Sequence, residues 1–346
     1  MMPASDTGAL RRALTGLAAL VFLPALVLAH AWASLAIWFS PLPEQAWIRG
    51  ATAIFFAIGG AWALFLSRGV RARIAYVVAF VAIAYAWSLI QPSDRRDWRD
   101  EVAVMPRATI DGDVVTLTGV RNFDFRTRSD FTPRHETRQV RLSHLTGLDF
   151  YISFWMNGPI GHTFVSFTFD DAPPLAISIE TRPEMGEGYS PIASMFKQYE
   201  LIYVVGEERD LVRLRTNHRN EDVFLYHIAV SPERARALFL EYLRRINELA
   251  DHPEFYHLLS NSCTVNIVRY ANASGREGLW DYRHFLNGWI DRYFYDAGLI
   301  KATMPFDELR RRSDITAASK AAGDGPDYPQ KIRAGLPTMP SQRNNG

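Results

Sequence analysis

Cysteine is nearly absent: Cys263 is the one thiol in 346 residues. That excludes any intrachain disulfide, the usual structural role of cysteine outside the cell. Net charge is nearly absent too. A formal charge of +1 at pH 7 leaves no basic excess for nucleic acid and no charge run to hold the chain unfolded. The sequence also lacks an internal repeat. A zinc site is not expected, because His252, His257 and Cys263 fit no common zinc spacing and no second cysteine exists. Neither a metal nor a cofactor is therefore assigned.

What the chain does have begins with apolar runs. Ala13–Phe39 holds no Asp, Glu, Lys or Arg, which is enough to cross a hydrocarbon core of ~30 Å at ~1.5 Å per helical residue. Two more runs follow, so residues 1–91 read as a membrane anchor with three transmembrane helices, 13–39, 47–66 and 74–90. The competing reading of the first run is a signal peptide cleaved near residues 29–33. Its apolar stretch exceeds the ~7–15 residues of a signal core, and further spans follow at once. Arg11 and Arg12 precede the first span, and Arg68, Arg71 and Arg73 separate the second from the third, while the loop SPLPEQ carries no basic residue. The positive-inside rule then places the amino terminus in the cytoplasm and everything after Gln91 outside it. Arg49 is the exception, at an interface where it can snorkel.

From Pro92 the pattern becomes mixed polar and aromatic. Residues 92–312 are long enough for one buried-core domain, and 313–346, rich in Ala, Ser, Gly, Pro and charge, read as a poorly ordered tail. Strand-like runs occur at 111–120, 147–156, 162–169, 175–182 and 199–206, with DLVRLRT (210–216) and VFLYHIAV (223–230) after them. The pentapeptide DDAPP makes 162–169 and 175–182 a hairpin. Residues 231–250 begin with a Ser cap and Pro, and repeat Ala235, Leu238, Tyr242 and Ile246 at helical spacing. Strands followed by helices indicate an α+β domain.

Cys263 follows Asn261 and Ser262, two capping residue types, and opens an amphipathic run ending at Gly275. At a helix amino terminus the unpaired N–H groups and the dipole stabilise a thiolate. The alternative is an inert buried thiol. His162 begins the first hairpin strand, and pairing Ser166 with Ala176 sets it opposite Glu180, with His162, Ser166, Ser178 and Glu180 on one face. A cysteine nucleophile, a histidine base and an orienting acid form a triad; the competing reading of His162 is a hydrogen-bonded strand-end histidine. Arg182, Asn261, Tyr203 and Tyr256 are the candidate substrate-binding residues. For the tyrosines the alternative is the core, and for Arg182 a salt bridge.

The order of a strand-opening histidine, a polar residue on the next strand and a late N-x-C at a helix start resembles circularly permuted papain-like proteins, including the lecithin:retinol acyltransferase group. More closely, "GHTFVSFTF", "SIETRPEMGEGYSP", "QYELIYVVGEERDLVRLRT", "PEFYHLLSNSCT" and "LNGWIDRYFYDAG" resemble the Lnb-type periplasmic domain across most of residues 97–314. The resemblance implies a papain-like thiol fold with Cys263 as nucleophile and His162 as base, and lipoprotein N-acylation as the activity. The sequence is thus expected to encode a membrane-anchored acyltransferase, with a phospholipid acyl donor and a lipoprotein or other amine acceptor. A cell-envelope amidase or peptidase and a noncatalytic scaffold or sensor are the alternatives.

Overall fold

The computed structural model describes residues 6–41, 45–156, 158–275, 281–300 and 302–337, with the backbone alone for 6–19. The chain divides into two units, Met1–Pro92 with Ile192–Gln198, and Ser93–Pro191 with Tyr199–Gly346.

The first unit is built on three helices. They are α1 (Asp6–Phe39), α2 (Ala46–Ala61), extended by a π-helical turn over Trp62–Leu66, and α3 (Val70–Leu89). Stretches long and apolar enough to span a membrane run over Leu20–Phe39, Ala46–Leu66 and Val70–Leu89, close to the expected spans. Gly60 leaves room for α1 against α2: a Cβ there would stand 2.6 Å from the His30 ring and force it to shift, and His30 Nε2 meets the Ala57 carbonyl at 3.1 Å. Phe196 stacks on Phe39 with centroids 5.9 Å apart. Lys197 Nζ donates to the carbonyls of Trp87 and Ile90 at 3.0 and 2.9 Å, a cation against the carboxyl end of α3.

The second unit is α+β. Its strands are β1 (Arg107–Asp111), β2 (Val114–Arg121), β3 (Asp124–Phe125), β4 (Phe131–Thr132), β5 (His135–Arg141), β6 (Leu145–Phe154), β7 (His162–Phe169), β8 (Leu175–Arg182), β9 (Glu200–Glu207) and β10 (Asp222–His227). Eight make one sheet in the order β1-β2-β9-β8-β7-β6-β10, with β5 also on β2; β3 and β4 form a separate ribbon. The sheet is mixed, since β2 meets β9 in parallel at Arg121 and Gly206 while its other pairings are antiparallel. Gly206 permits that meeting, because a Cβ there would lie 2.8 Å from the Arg121 carbonyl.

Helices cover both faces. Following β9 come α4 (Glu208–Arg213) and a π-helical turn, Leu214–His218. Next are α5 (Pro232–Asp251), α6 (Cys263–Ala273), α7 (Ile290–Asp296), α8 (Phe306–Ser313), α9 (Thr316–Ala322) and α10 (Tyr328–Arg333). Ser231 caps α5 by accepting the Arg234 N–H, as its sequence predicts. On one face Phe239 and Tyr242 of α5 pack on Phe167, and Tyr270 of α6 meets Tyr242. On the other, Tyr151, Phe164, Ala176 and Val204 form a cluster with Leu211, Val212, Ile315, Ala322, Tyr328 and Ile332.

Two expectations are corrected. Residues 210–216 form the end of α4 and the π turn instead of a strand. Leu211, Val212 and Leu214 all lie buried on that helical segment, and Asp210 turns inward to a bidentate pair with Arg121. The segment after Ser313 is folded over Thr316–Ala322 and Tyr328–Arg333, because Tyr328 and Ile332, one turn apart, bury against the sheet and Arg333 pairs with Asp149 at 2.7 Å. Residues 338–346 of that tail lie outside the described residues.

Candidate active site

β7 and β8 pair with Phe164 opposite Ser178 and Ser166 opposite Ala176, the register deduced from the turn. That register brings His162, Ser178 and Glu180 together at one end of the hairpin. His162 Nε2 lies 2.7 Å from Ser178 Oγ, and Ser178 Oγ donates to Glu180 Oε1 at 2.9 Å. The direct distance from His162 Nε2 to Glu180 Oε1 is 3.6 Å, so the acid reaches the imidazole through the serine. The face is not open to water as a polar strip would suggest. Ser166 and Ser178 are fully buried, under the layer that holds α4, α9 and α10.

Cys263 is the first residue of α6, after Ser262 as N-cap, and is only 3% exposed. Burial pushes its thiol up, but the hydrogen bond and charge of His162, with hydrogen bonds from the backbone and side chain of Thr163, outweigh this and bring it down to about 6. Thr163 Oγ1 and Thr264 Oγ1 meet at 2.8 Å, tying β7 to the first turn of α6. Glu180 is held well below the usual carboxylate range: burial opposes ionisation, yet Arg215, then His162, Arg219 and Arg121 overcome it.

Tyr256 is buried against the thiol. It hydrogen-bonds both the backbone and the side chain of Cys263, and burial, reinforced by the thiolate, raises its hydroxyl well above the ordinary tyrosine value. The other three substrate-binding candidates serve the frame. Arg182 donates from Nε to the Val102 carbonyl and from its terminal nitrogens to Asp94 and to the Ala103 carbonyl, and stacks over Trp98 at 4.3 Å. Asn261 spends its amide on Glu254, the Phe255 carbonyl and Asn266, bracing the turn before Cys263. Tyr203 meets the Tyr270 hydroxyl in the core. Arg182 and Tyr203 are placed by partners distant in sequence, which local pattern does not reveal.

Sequence reasoning missed three residues at the site. Asn287 exchanges hydrogen bonds with both backbone groups of Gly161, reaches Thr264 Oγ1 at 2.9 Å and stands 3.8 Å from Cys263 Sγ. Its stretch, LNGW, was distinctive, but nothing local marked the asparagine. Arg215 donates to Glu180 Oε1 at 2.7 Å. Tyr189 is half-exposed and faces the thiol, and partial burial followed by the charge of Cys263 raises its hydroxyl to about 12. Around these groups lie exposed apolar side chains. Trp155 meets Tyr189 edge-on at 6.2 Å, and Tyr282 meets Trp289, two residues from Asn287, at 6.3 Å. The cluster suited to a metal among the described residues, His144 with Asp170 and Asp171, does not include the thiol.

Residues 131–288 match the family model of the Lnb N-terminal periplasmic domain. The matched segment contains His162, Ser178, Glu180, Arg215, Tyr256, Cys263 and Asn287. No curated protein and no solved structure matches the chain.

Proposed function

We propose that this chain, three membrane-spanning helices joined to an Lnb-type domain, is a cysteine acyltransferase that moves an acyl chain from a phospholipid to an amine. The observation that carries the reading is Cys263 at the start of α6, hydrogen-bonded to His162 and ionising near 6. With Nε2 of His162 held by Ser178, Nδ1 is the nitrogen left for the thiol. In the first half-reaction His162 takes the Sγ proton and the thiolate attacks the ester carbonyl carbon. The resulting oxyanion is held by the Cys263 N–H and the Tyr256 hydroxyl. Collapse breaks the ester C–O bond, and the imidazolium gives its proton to the departing glycerol oxygen. In the second half-reaction an amine, such as a lipoprotein terminus, attacks the thioester, gives its proton to His162 and expels the thiolate.

A lipid donor is favoured over a peptide by the exposed Trp155, Tyr189, Tyr282 and Trp289 beside the site. The reading also carries the topology argued from the arginines, with the thiol domain in the periplasm of a bacterial inner membrane.

Intact-protein mass spectrometry of the chain purified from membranes tests this. An acyl mass on the parent that hydroxylamine removes, absent from Cys263→Ala, is expected. An adduct discharged by water at the same rate with or without amine would identify a hydrolase. No adduct under any donor, together with an unaltered Cys263→Ala phenotype, would leave a scaffold.

A further inference from the structure

Glu180 does not meet His162 alone. Its Oε1 accepts from Ser178 Oγ at 2.9 Å and from an Arg215 terminal nitrogen at 2.7 Å, while the histidine stays 3.6 Å away. Arg215 is 1% exposed, unusual for a guanidinium, and both of its terminal nitrogens are hydrogen-bonded while Nε has no hydrogen-bond partner among the described residues. It donates to the Leu211 carbonyl at 2.7 Å, lies over the Phe164 ring at 4.8 Å, and has Glu221 4.0 Å from Nε. The turn that carries it is π-helical, a distortion often retained at working sites. Its next residue, Thr216, meets Ser319 Oγ at 2.6 Å, and Ser319 meets the Tyr328 hydroxyl at 2.6 Å. The turn carrying Arg215 is thus tied through Thr216 to α9 and α10, which lie beyond the family-matched stretch.

We infer that Arg215 is a positioning residue of the thiol site, holding and neutralising Glu180 so that the acid orients His162 through Ser178 without pairing with it directly. The inference rests on the thiol-enzyme reading above. A carboxylate in full contact would make the imidazole a stronger base and the imidazolium a poorer acid. The base must take a proton from Cys263 and then return one to the leaving oxygen, so both properties matter. The groups facing Glu180 are His162, Ser178, Arg215, Arg219 and Arg121; those facing Cys263 are His162, Thr163, Tyr189, Tyr242, Tyr256 and Asn287. Among them Arg215 alone hydrogen-bonds Glu180 with a full positive charge.

The test is the pH profile of iodoacetamide alkylation of the full chain in detergent, where Cys263 is the sole thiol. A thiolate–imidazolium pair gives two rises, a lower one as the pair forms and an upper one as the imidazolium loses its proton. Freeing Glu180 by Arg215→Gln should move the upper rise up and leave the lower rise nearly in place, widening the interval by about one pH unit. Arg215→Lys, which keeps the charge, should leave it within about 0.3 unit of the parent. Adding Glu180→Gln to Arg215→Gln should remove at least half of the widening. Glu180→Gln alone should narrow the interval, and this arm stands even where Arg215→Gln does not fold. An interval unchanged or narrowed in Arg215→Gln, or unchanged in Glu180→Gln, overturns the inference. A parent with a single rise near ~8.5, the value of a free thiol, overturns the thiol-enzyme reading itself.

Discussion

Two opposing forces act on the proton of Cys263. Burial favours the neutral thiol, and the His162 charge with the Thr163 hydrogen bonds favours the thiolate; the second set prevails, bringing the group to about 6. Removing His162 leaves burial without its main opponent. The alkylation midpoint of His162→Ala should therefore rise by two units or more, to at least the ~8.5 of a free thiol, whereas His252→Ala and His257→Ala should not move it. A midpoint that stays near the parent's in His162→Ala would make Cys263 an ordinary buried thiol. Tyr256→Phe removes the hydroxyl beside the Cys263 amide, and acyl transfer should fall on the order of 100-fold in kcat with KM little changed. A loss within twofold would take the oxyanion role from Tyr256. His162, Glu180 and Cys263 were legible because strand alternation, a hairpin register and a helix start are local signals. Arg215 and Asn287 were not, since each reaches the site across a fold that only tertiary packing creates.

At the scale of elements, β7, β8 and α5 could be read from the sequence because alternation, turn residues and capping all agreed. α4 was harder to read, since a seven-residue stretch with three apolar residues, DLVRLRT, suits either period and the partner of Asp210 lies 89 residues away. β9 also carries a pH-sensitive start. Glu200, 2% exposed, pairs with Arg96 at 2.7 Å and accepts the Ser93 N–H, but one of its oxygens has no partner among the described residues. Burial outweighs Arg96 and pushes its carboxyl up to about 7. Its folded value lies above its unfolded one, so the stability it contributes is complete below the ordinary carboxylate range and is lost as pH rises through about 7. Glu200→Gln keeps the shape and removes the titration. Between pH 5 and 8 the parent should lose about 2–4 °C of Tm relative to the variant, on the order of 1–2 kcal/mol for a domain of this size. Parallel Tm profiles for the two proteins would show that Arg96 keeps Glu200 ionised.

For the whole molecule, the anchor's arginines predict that a reporter fused after Gln91 is active only in a form that works outside the cytoplasm; cytoplasmic activity there would reverse the orientation. The last helices raise a separate question, because composition alone suggested little order after Ser313. Individual residues contradict that average. Ile315, Ala322, Tyr328 and Ile332 are buried with Tyr151, Phe164 and Leu211. Arg333 donates to Asp149 Oδ2 at 2.7 Å and to Glu208 Oε1 at 2.5 Å, both acids being buried. At about 1.5–3 kcal/mol for each large apolar side chain, ending the chain at Asp314 forfeits on the order of 5 kcal/mol of burial. It also removes the cation from two buried carboxylates, which keep His227 and the Tyr151 hydroxyl as partners, and breaking a buried pair costs about 3–5 kcal/mol. Together these approach the about 5–15 kcal/mol that holds a typical domain folded. The truncated chain should reach the membrane through its helices and yet be cut rapidly in the second unit by added protease. Arg333→Met keeps the apolar contacts and loses only the charge pairs, so it should fold with a Tm lowered by about 5–10 °C. A truncated protein that melts within about 2 °C of the parent would mean that α9 and α10 cover the sheet without supporting it.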